Sequence, residues 1–436
     1  METDLSIRSL GACGVDSPLV KNLLHSEDSP DFVEHGAAIL LDDRFESVQA
    51  LERLADAPRL EVAGPRRKIY FDPATTGVGI VTCGGLCPGL NNVIRGITME
   101  SWHGYGIRRI YGFRYGLEGF IESYGHEVLE LTPDVVSDIH EQGGSILSSS
   151  RGPQDPSAIV DRLVKLGINV LFVIGGDGSM RAALVIAAEA RRRELPIAVV
   201  GIPKTVDNDL RFLDKSFGFE TAVAEAVEAI RCAHTEARGA FNGIGLVKLM
   251  GRHSGFLACH ATLATSHVNF CLIPEMPIDE TIGAAFFEKL RSRLVERRHA
   301  VVVVAEGTGQ ERLADPSARD ASGNVKLVDV GVFLADRIKS HFKEAGVEHT
   351  LKYIDPSYIV RSVPTCPTDS VYCWQLAAAA VHAGMSGRTD LIVGRWHGRM
   401  VHVPIEQAIS ERNRVDLEGT LWLSVLETTG QPATWV

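Results

Sequence analysis

Between residues 170 and 210, two apolar runs end in side chains suited to phosphate chemistry. Val170–Ile174 breaks into Gly175, Gly176, Asp177, Gly178 and Ser179, and Ile197–Ile202 breaks into Pro203, Lys204, Thr205, Val206, Asp207, Asn208 and Asp209. Glycines let a backbone approach a ligand closely, and a following helix offers its first amides to an anion. Asp177 suits Mg2+, which takes carboxylates together with phosphate oxygens and water. The plainer use of Asp177 is as a helix cap, with Ser179 as the alternative cap. Asp207 and Asp209 share a face of an extended chain, where neighbouring like charges raise one pKa. Asp207 can then take a proton from an attacking hydroxyl, and Lys204 can neutralise a transferring phosphate. A solvated turn, with Lys204 paired to an aspartate, is the competing use of the same residues.

Other strand ends carry matching chemistry. The loop GGLCPGLN (84–91) is glycine-rich and opens a helix, but it has neither the Walker spacing nor G-x-G-x-x-G. Arg151 follows a run of serines and Arg252 follows Met250 and Gly251. Planar guanidinium forks suit phosphate oxygens, although a lone arginine more often faces solvent. Glu306 ends the apolar run VVVVA and can accept from sugar hydroxyls or serve as a structural cap. Lys352, Tyr358 and Arg361 lie in one short segment, enough to anchor a second phosphate. Together these loops supply what phosphoryl transfer requires: an amide cradle, a metal carboxylate, a base, and cations for donor and acceptor.

The elements that must position these residues alternate regularly. Strands are expected at Val78–Thr82, Ile110–Phe113, Val170–Ile174, Ile197–Ile202, Gly243–Met250, Phe270–Ile273 and Ala300–Ala305. Helices are expected at 90–103, 156–166, 221–236, 256–265, 282–297, 330–344 and 368–384, with another after Ser179. Strand–loop–helix repetition implies a parallel, doubly wound sheet, here in two α/β units. Residues 37–55 suit a short strand and an amphipathic helix within an N-terminal extension, 1–70, that packs on the main body or on another subunit.

The 436 residues suffice for two or three domains, and 45% apolar with 23% charged residues describes a globular chain. A net charge of −11 argues against a general nucleic-acid binder. No apolar run approaches the length of about 20 residues that spans a bilayer, and the start METDLSIRSLGACG, with an acidic n-region and no long apolar core, is not expected to act as a signal peptide. The eight cysteines form no regular framework. Cys83 and Cys87 lack the second pair that a zinc site needs, so reduced thiols in a cytoplasmic protein are expected.

The set GGLCPGLNNVIRG (84–96), GGDGS (175–179), PKTVDND (203–209), LMGRHSG (249–255), the strand ending at Glu306, and YIDPSYIVR (353–361) resembles the phosphofructokinase family, and is most similar to its longer plant and protist branch. The resemblance spans residues 77–385. It implies an α/β fold of two Rossmann-like domains with the active site in the cleft between them. It also implies phosphorylation of the 1-hydroxyl of fructose 6-phosphate by MgATP or, in some members, by pyrophosphate. On that basis Gly85, Arg151, Gly152, Gly176, Asp177, Gly178 and Ser179 match the ATP site, with Asp177 at the Mg2+ position and Arg151 also placed to steady the transferring group. Asp207 matches the base. Thr205, Val206, Asp207 itself, Met250, Gly251, Arg252, Glu306, Lys352, Tyr358, Ile359, Val360 and Arg361 match the sugar-phosphate contacts. The implied domains are an extension at 1–70, a donor domain at 71–219 plus 360–410, a sugar-phosphate domain at 220–359, and a C-terminal extension at 411–436. A dimer or tetramer is also implied.

Three departures bear on this. Lys204 stands where many bacterial members have glycine and pyrophosphate-dependent members have lysine, but Gly178 stands where the latter have aspartate. A side chain at 178 would crowd and repel a nucleotide's α-phosphate, so the pair Gly178 and Lys204 favours ATP, with pyrophosphate the alternative. Gly243 replaces an arginine that short bacterial members lend across a subunit interface, which leaves the 6-phosphate to other cations such as Lys352. Tyr358 replaces their histidine, as in the longer branch. A catalytically dead sugar-phosphate sensor on the same fold is the reading from another class; the presence of Asp177, Asp207, Arg151 and Arg252 argues against it.

Overall fold

A computed structural model describes residues 4–19, 32–44, 56–276, 283–319 and 324–435. The helix expected within 37–55 falls at residues outside that set; the strand before it is Ala38–Leu40. Contacts divide the chain into two compact units. The first comprises Met1–Thr205, Leu210–Phe217 and Pro367–Glu411, and the second Val206–Asp209, Gly218–Cys366 and Arg412–Val436.

The first unit is built on a nine-stranded sheet. Its five central strands, in order Leu391–Trp396, Ala198–Pro203, Val170–Gly175, Gly77–Thr82 and Arg109–Phe113, are parallel. They read as unbroken apolar runs because helices cover both faces. Along Val170–Gly175, Val170 and Phe172 face the Pro367–Met385 helix at Gly384. Leu171 and Val173 instead join a core with Ile159, Leu163, Met180 and Ala183 of the two helices Pro156–Leu166 and Asp177–Arg192.

Antiparallel strands extend the expected parallel sheet at both edges. Arg399–Pro404, Arg59–Val62 and Ala38–Leu40 add antiparallel strands at one edge, and Val128–Glu130 adds one at the other. Leu391–Trp396 and Arg399–Pro404 are joined by the tight turn at His397 and Gly398, both at positive φ, and such a short link permits only antiparallel pairing. The segment before residue 70 is thereby part of this unit: Leu60 is fully buried, and Glu61 receives the Arg388 guanidinium through two bonds of 3.0 Å.

The second unit has a four-stranded, all-parallel sheet in the order Phe270–Leu272, His299–Ala305, Gly243–Leu249, Thr350–Ile354. The Phe219–Gly239 helix lies very close to it. A Cβ at Gly243 would come within 2.0 Å of the Ala237 carbonyl oxygen, and one at Gly245 within 2.6 Å of that of Ala233. An arginine at 243 therefore has no space in this chain.

Arg412–Val436 falls within this unit. The Gln431 amide accepts from Cys271 N at 2.6 Å and donates to its carbonyl at 3.1 Å, pairing an edge strand that would otherwise expose its backbone. Trp435 is 1% exposed and packs edge-on to Phe286, with ring centroids 5.5 Å apart. Trp435→Ala is expected to cost about 3–5 kcal/mol, the usual range for a buried aromatic truncated to alanine. A lower urea midpoint for the second unit would register this; an unchanged midpoint would show that the C-terminal segment contributes no stability.

Candidate active site

In the first unit, the loops that follow three neighbouring parallel strands are tied together by hydrogen bonds. Cys83 N donates to Ile174 O at 2.9 Å, and Lys204 N to Gly175 O at 3.0 Å. Gly84 N donates to Ser150 O at 3.1 Å, and Ser149 Oγ to Gly84 O at 2.6 Å. Gly84 has φ of +83°, a conformation that glycine adopts readily. Lys204 is buried, not in a solvated turn, and its Nζ donates to Gly85 O at 2.5 Å. A Cβ on Gly85 would lie 3.7 Å from Arg151 Nη2. Gly85, Arg151, Gly152, Lys204 and the 175–179 turn are thus parts of one loop cluster.

The helix after that turn begins at Asp177, and its N-cap is Gly176, with no side-chain cap bond. The cap position is thus neither Asp177 nor Ser179, so the plainer use of Asp177 as the N-cap is not the one seen. A Cβ on Gly175 would meet Ser179 Oγ at 2.2 Å, so Ser179 is folded back against the strand end. Asp177 is the first residue of that helix. Its side chain is 26% exposed, with Oδ1 3.4 Å from Arg181 Nη2. Among the described residues no three His, Cys, Asp or Glu side chains are grouped to hold a metal ion. A single carboxylate beside an anion cradle still fits Mg2+, which binds one or two protein carboxylates and completes its shell with phosphate oxygens and water.

In the second unit the chemistry gathers at the carboxyl ends of Gly243–Leu249 and His299–Ala305. Asp207 Oδ2 accepts from Arg252 N at 3.2 Å, and the Asp207 carbonyl accepts from Ser254 Oγ at 2.9 Å. Burial, then the charges of Asp209 and Glu306, push the Asp207 carboxyl up to about 7, against the opposing pull of the Arg252 N–H and Arg412. Asp209 is salt-bridged to Arg412, and its carbonyl accepts from Asn413 N at 2.8 Å. Asn208 between the two aspartates has φ of +55°, so the chain there is not the extended run that would put both on one face. Gly251 needs its φ of +125° to make the turn that presents Arg252 N. The Arg252 guanidinium donates to Val325 O.

Burial also raises the Glu306 carboxyl, while Arg361, Lys248 and Arg252 pull it down. In the Ser357–Ser362 helix, Val360 is buried, Tyr358 is 80% exposed and Ile359 is exposed. Arg361 turns inward, its Nε buried without a hydrogen-bond partner among the described residues. That is a donor ready for an oxyanion.

Lys352 does not join this group. It pairs with Gly245 in the sheet and so points to the face covered by the Phe219–Gly239 helix, where its Nζ is 4.0 Å from Glu236. Three contributors were missed. Arg412 and Glu275, whose Oε1 accepts from both Gly255 N and Val415 N at 2.9 Å, act across long stretches of chain that carry no local signal. Lys248 had one: it is the lone charge in the apolar run GIGLVKLM.

The phosphofructokinase family model matches residues 77–384. The chain belongs to the phosphofructokinase family. It is similar to the ATP-dependent 6-phosphofructokinase of Amycolatopsis methanolica, 49% identical over 439 residues and covering 99% of this chain and 95% of that one. The enzyme of the same name from Borreliella burgdorferi is 47% identical, with 98% and 97% covered. ATP-dependent 6-phosphofructokinase 7 of Arabidopsis thaliana is 47% identical, with 87% and 79% covered. Among solved structures, a pyrophosphate-dependent phosphofructokinase from Marinobacter aquaeolei aligns with TM-score 0.66 at 21% identity, covering 81% of this chain and 91% of that one. The Saccharomyces cerevisiae phosphofructokinase aligns with TM-score 0.62 at 20% identity, covering 81% and 47%. These alignments establish a common fold of α/β units with two Rossmann-like domains.

Proposed function

We propose that the chain transfers the γ-phosphoryl group of MgATP to the 1-hydroxyl of fructose 6-phosphate, giving fructose 1,6-bisphosphate and ADP, as a step of glycolysis. The observation that carries this is Asp207, half-buried, its carboxyl held by the Arg252 amide in the same unit as Glu306 and Arg361 and pushed up to about 7 by burial and the Asp209 and Glu306 charges. A general base works best with its pKa near the operating pH. As the sugar oxygen bonds to the γ-phosphorus, the bond from that phosphorus to the β–γ bridging oxygen breaks. The sugar's proton passes to Asp207, and ADP leaves with the bridging electrons. Arg361 and Arg252 bind the sugar phosphate, and Glu306 accepts from a sugar hydroxyl. Lys204 and Arg151 carry positive charge to the donor's terminal phosphate, and the amides of 176–179 cradle its oxygens. Mg2+, held by Asp177 and donor phosphate oxygens, would offset the donor's negative charge.

In this reading the first unit is the donor domain and the second the sugar-phosphate domain. Donor identity rests on Gly178, where a Cβ would meet nothing within 4 Å, and on curated relatives named as ATP-dependent enzymes. Lys204 supports pyrophosphate as the second reading. Among the described residues no helix is long and apolar enough to cross a membrane, and a cytoplasmic homo-oligomer completes the proposal. The test is product formation from fructose 6-phosphate with each donor: MgATP is expected to support it and pyrophosphate is not.

A further inference from the structure

A lysine inside an apolar, interior parallel strand needs a reason. Lys248 is 9% exposed, and its Nζ lies 2.8 Å from Asp355 Oδ2 and 2.9 Å from Asp329 Oδ2. Both aspartates have other tasks. Asp329 Oδ1 caps the Val330–Glu344 helix through Gly331 N and Val332 N, and accepts from Tyr353 Oη at 3.0 Å. Asp355 Oδ1 accepts from Ser357 N at 3.1 Å and Ser357 Oγ at 2.5 Å, fixing the first turn of the Ser357–Ser362 helix. Burial works against the Lys248 charge, but the two aspartates outweigh it and hold the ammonium above its ordinary value.

Such a buried ion cluster is poor evidence for stability, since well-packed apolar groups often do as well. Its geometric effect is specific. It ties the central strand, two residues before Met250, to the short helix that carries Arg361. Two of the three ammonium donors face carboxylates, so Lys248 is not organised to bind a phosphate itself.

We propose that Lys248 is a positioning residue for sugar-phosphate binding: clamped by Asp355 and Asp329, it fixes the Ser357–Ser362 helix so that Arg361 is held beside Glu306. This rests on the functional reading above. Asp355 acts as its relay, and Asp329 anchors the clamp to the neighbouring helix.

The test is steady-state kinetics of K248M, D355N and the double variant. K248M is expected to raise KM for fructose 6-phosphate about tenfold while kcat and KM for ATP stay within about threefold, the signature of lost binding made equally in ground and transition states. D355N should do the same, and the double variant should be no worse than K248M alone, because both break one linkage. Additive effects, or equal losses for both substrates, would overturn the proposal. If K248M does not fold, D355N decides alone: a selective rise in KM for fructose 6-phosphate supports the clamp, and a wild-type value overturns it. Wild-type protein that does not phosphorylate fructose 6-phosphate overturns the functional reading and this inference together; active wild type with unaltered variants overturns this inference only.

Discussion

Replacing Asp207 by alanine, serine or asparagine lowers turnover by about two or more orders of magnitude, the range seen when a general base is lost, and leaves fructose 6-phosphate binding nearly intact. In the proposed site Arg361, Arg252 and Glu306 carry most of the sugar-phosphate binding, so calorimetric titration with fructose 6-phosphate should change little. Turnover of the wild type should rise as pH increases through about 7, where Asp207 ionises. D207N has a second expected effect, on stability. Between the unfolded value of 3.8 and the folded value of about 7, the native protein binds more protons at this site than the unfolded chain. Stability therefore falls as pH rises across that window, and above it the whole cost is present. D207N removes that cost, so its Tm should exceed that of the wild type at pH 8 and converge with it near pH 4. Undiminished turnover would remove Asp207 from the mechanism; a lower Tm at pH 8 would contradict the raised carboxylate.

Gly178→Asp is expected to lower kcat/KM for ATP by about 100-fold, the scale of a carboxylate facing a phosphate a few ångströms away at an intermediate dielectric. Binding of fructose 6-phosphate should not change. The substitution is a clean probe because the fold tolerates it. A Cβ at 178 meets nothing within 4 Å, and the residue is not in the left-handed region that only glycine adopts comfortably. Whatever is lost is then lost to the ligand. Gly175 would be a poor probe, since a side chain there collides with Ser179. Kinetics with ATP varied at saturating sugar phosphate measure the effect; an unaltered kcat/KM would defeat the steric and electrostatic argument for donor choice.

These predictions depend on residues that differ in how readily the sequence revealed them. The strands Val170–Gly175, Ala198–Pro203 and Gly243–Leu249 were readable because strands covered on both faces are continuous apolar runs. The loops after them were readable because glycines, hydroxyls and aspartates interrupt those runs abruptly. What an apolar run does not encode is the direction of its partner, so the antiparallel pairing of Arg399–Pro404 is visible only in the structure. Nor does it encode which side of the sheet is the useful one. Lys352 and Tyr353 are neighbours, yet strand alternation sends Lys352 towards Glu236 and Tyr353 towards Asp329. The cation at the strand end was instead Lys248, hidden within an apolar run. Arg412 reaches Asp209 from two hundred positions away, and only tertiary folding pairs them.

Incubating the purified wild-type protein with fructose 6-phosphate and Mg2+, with either ATP or pyrophosphate as donor, and measuring fructose 1,6-bisphosphate decides both the reaction and the donor. Product is expected with ATP and none above background with pyrophosphate. Product with pyrophosphate alone would contradict the donor assignment, and no product with either donor would contradict the proposed reaction.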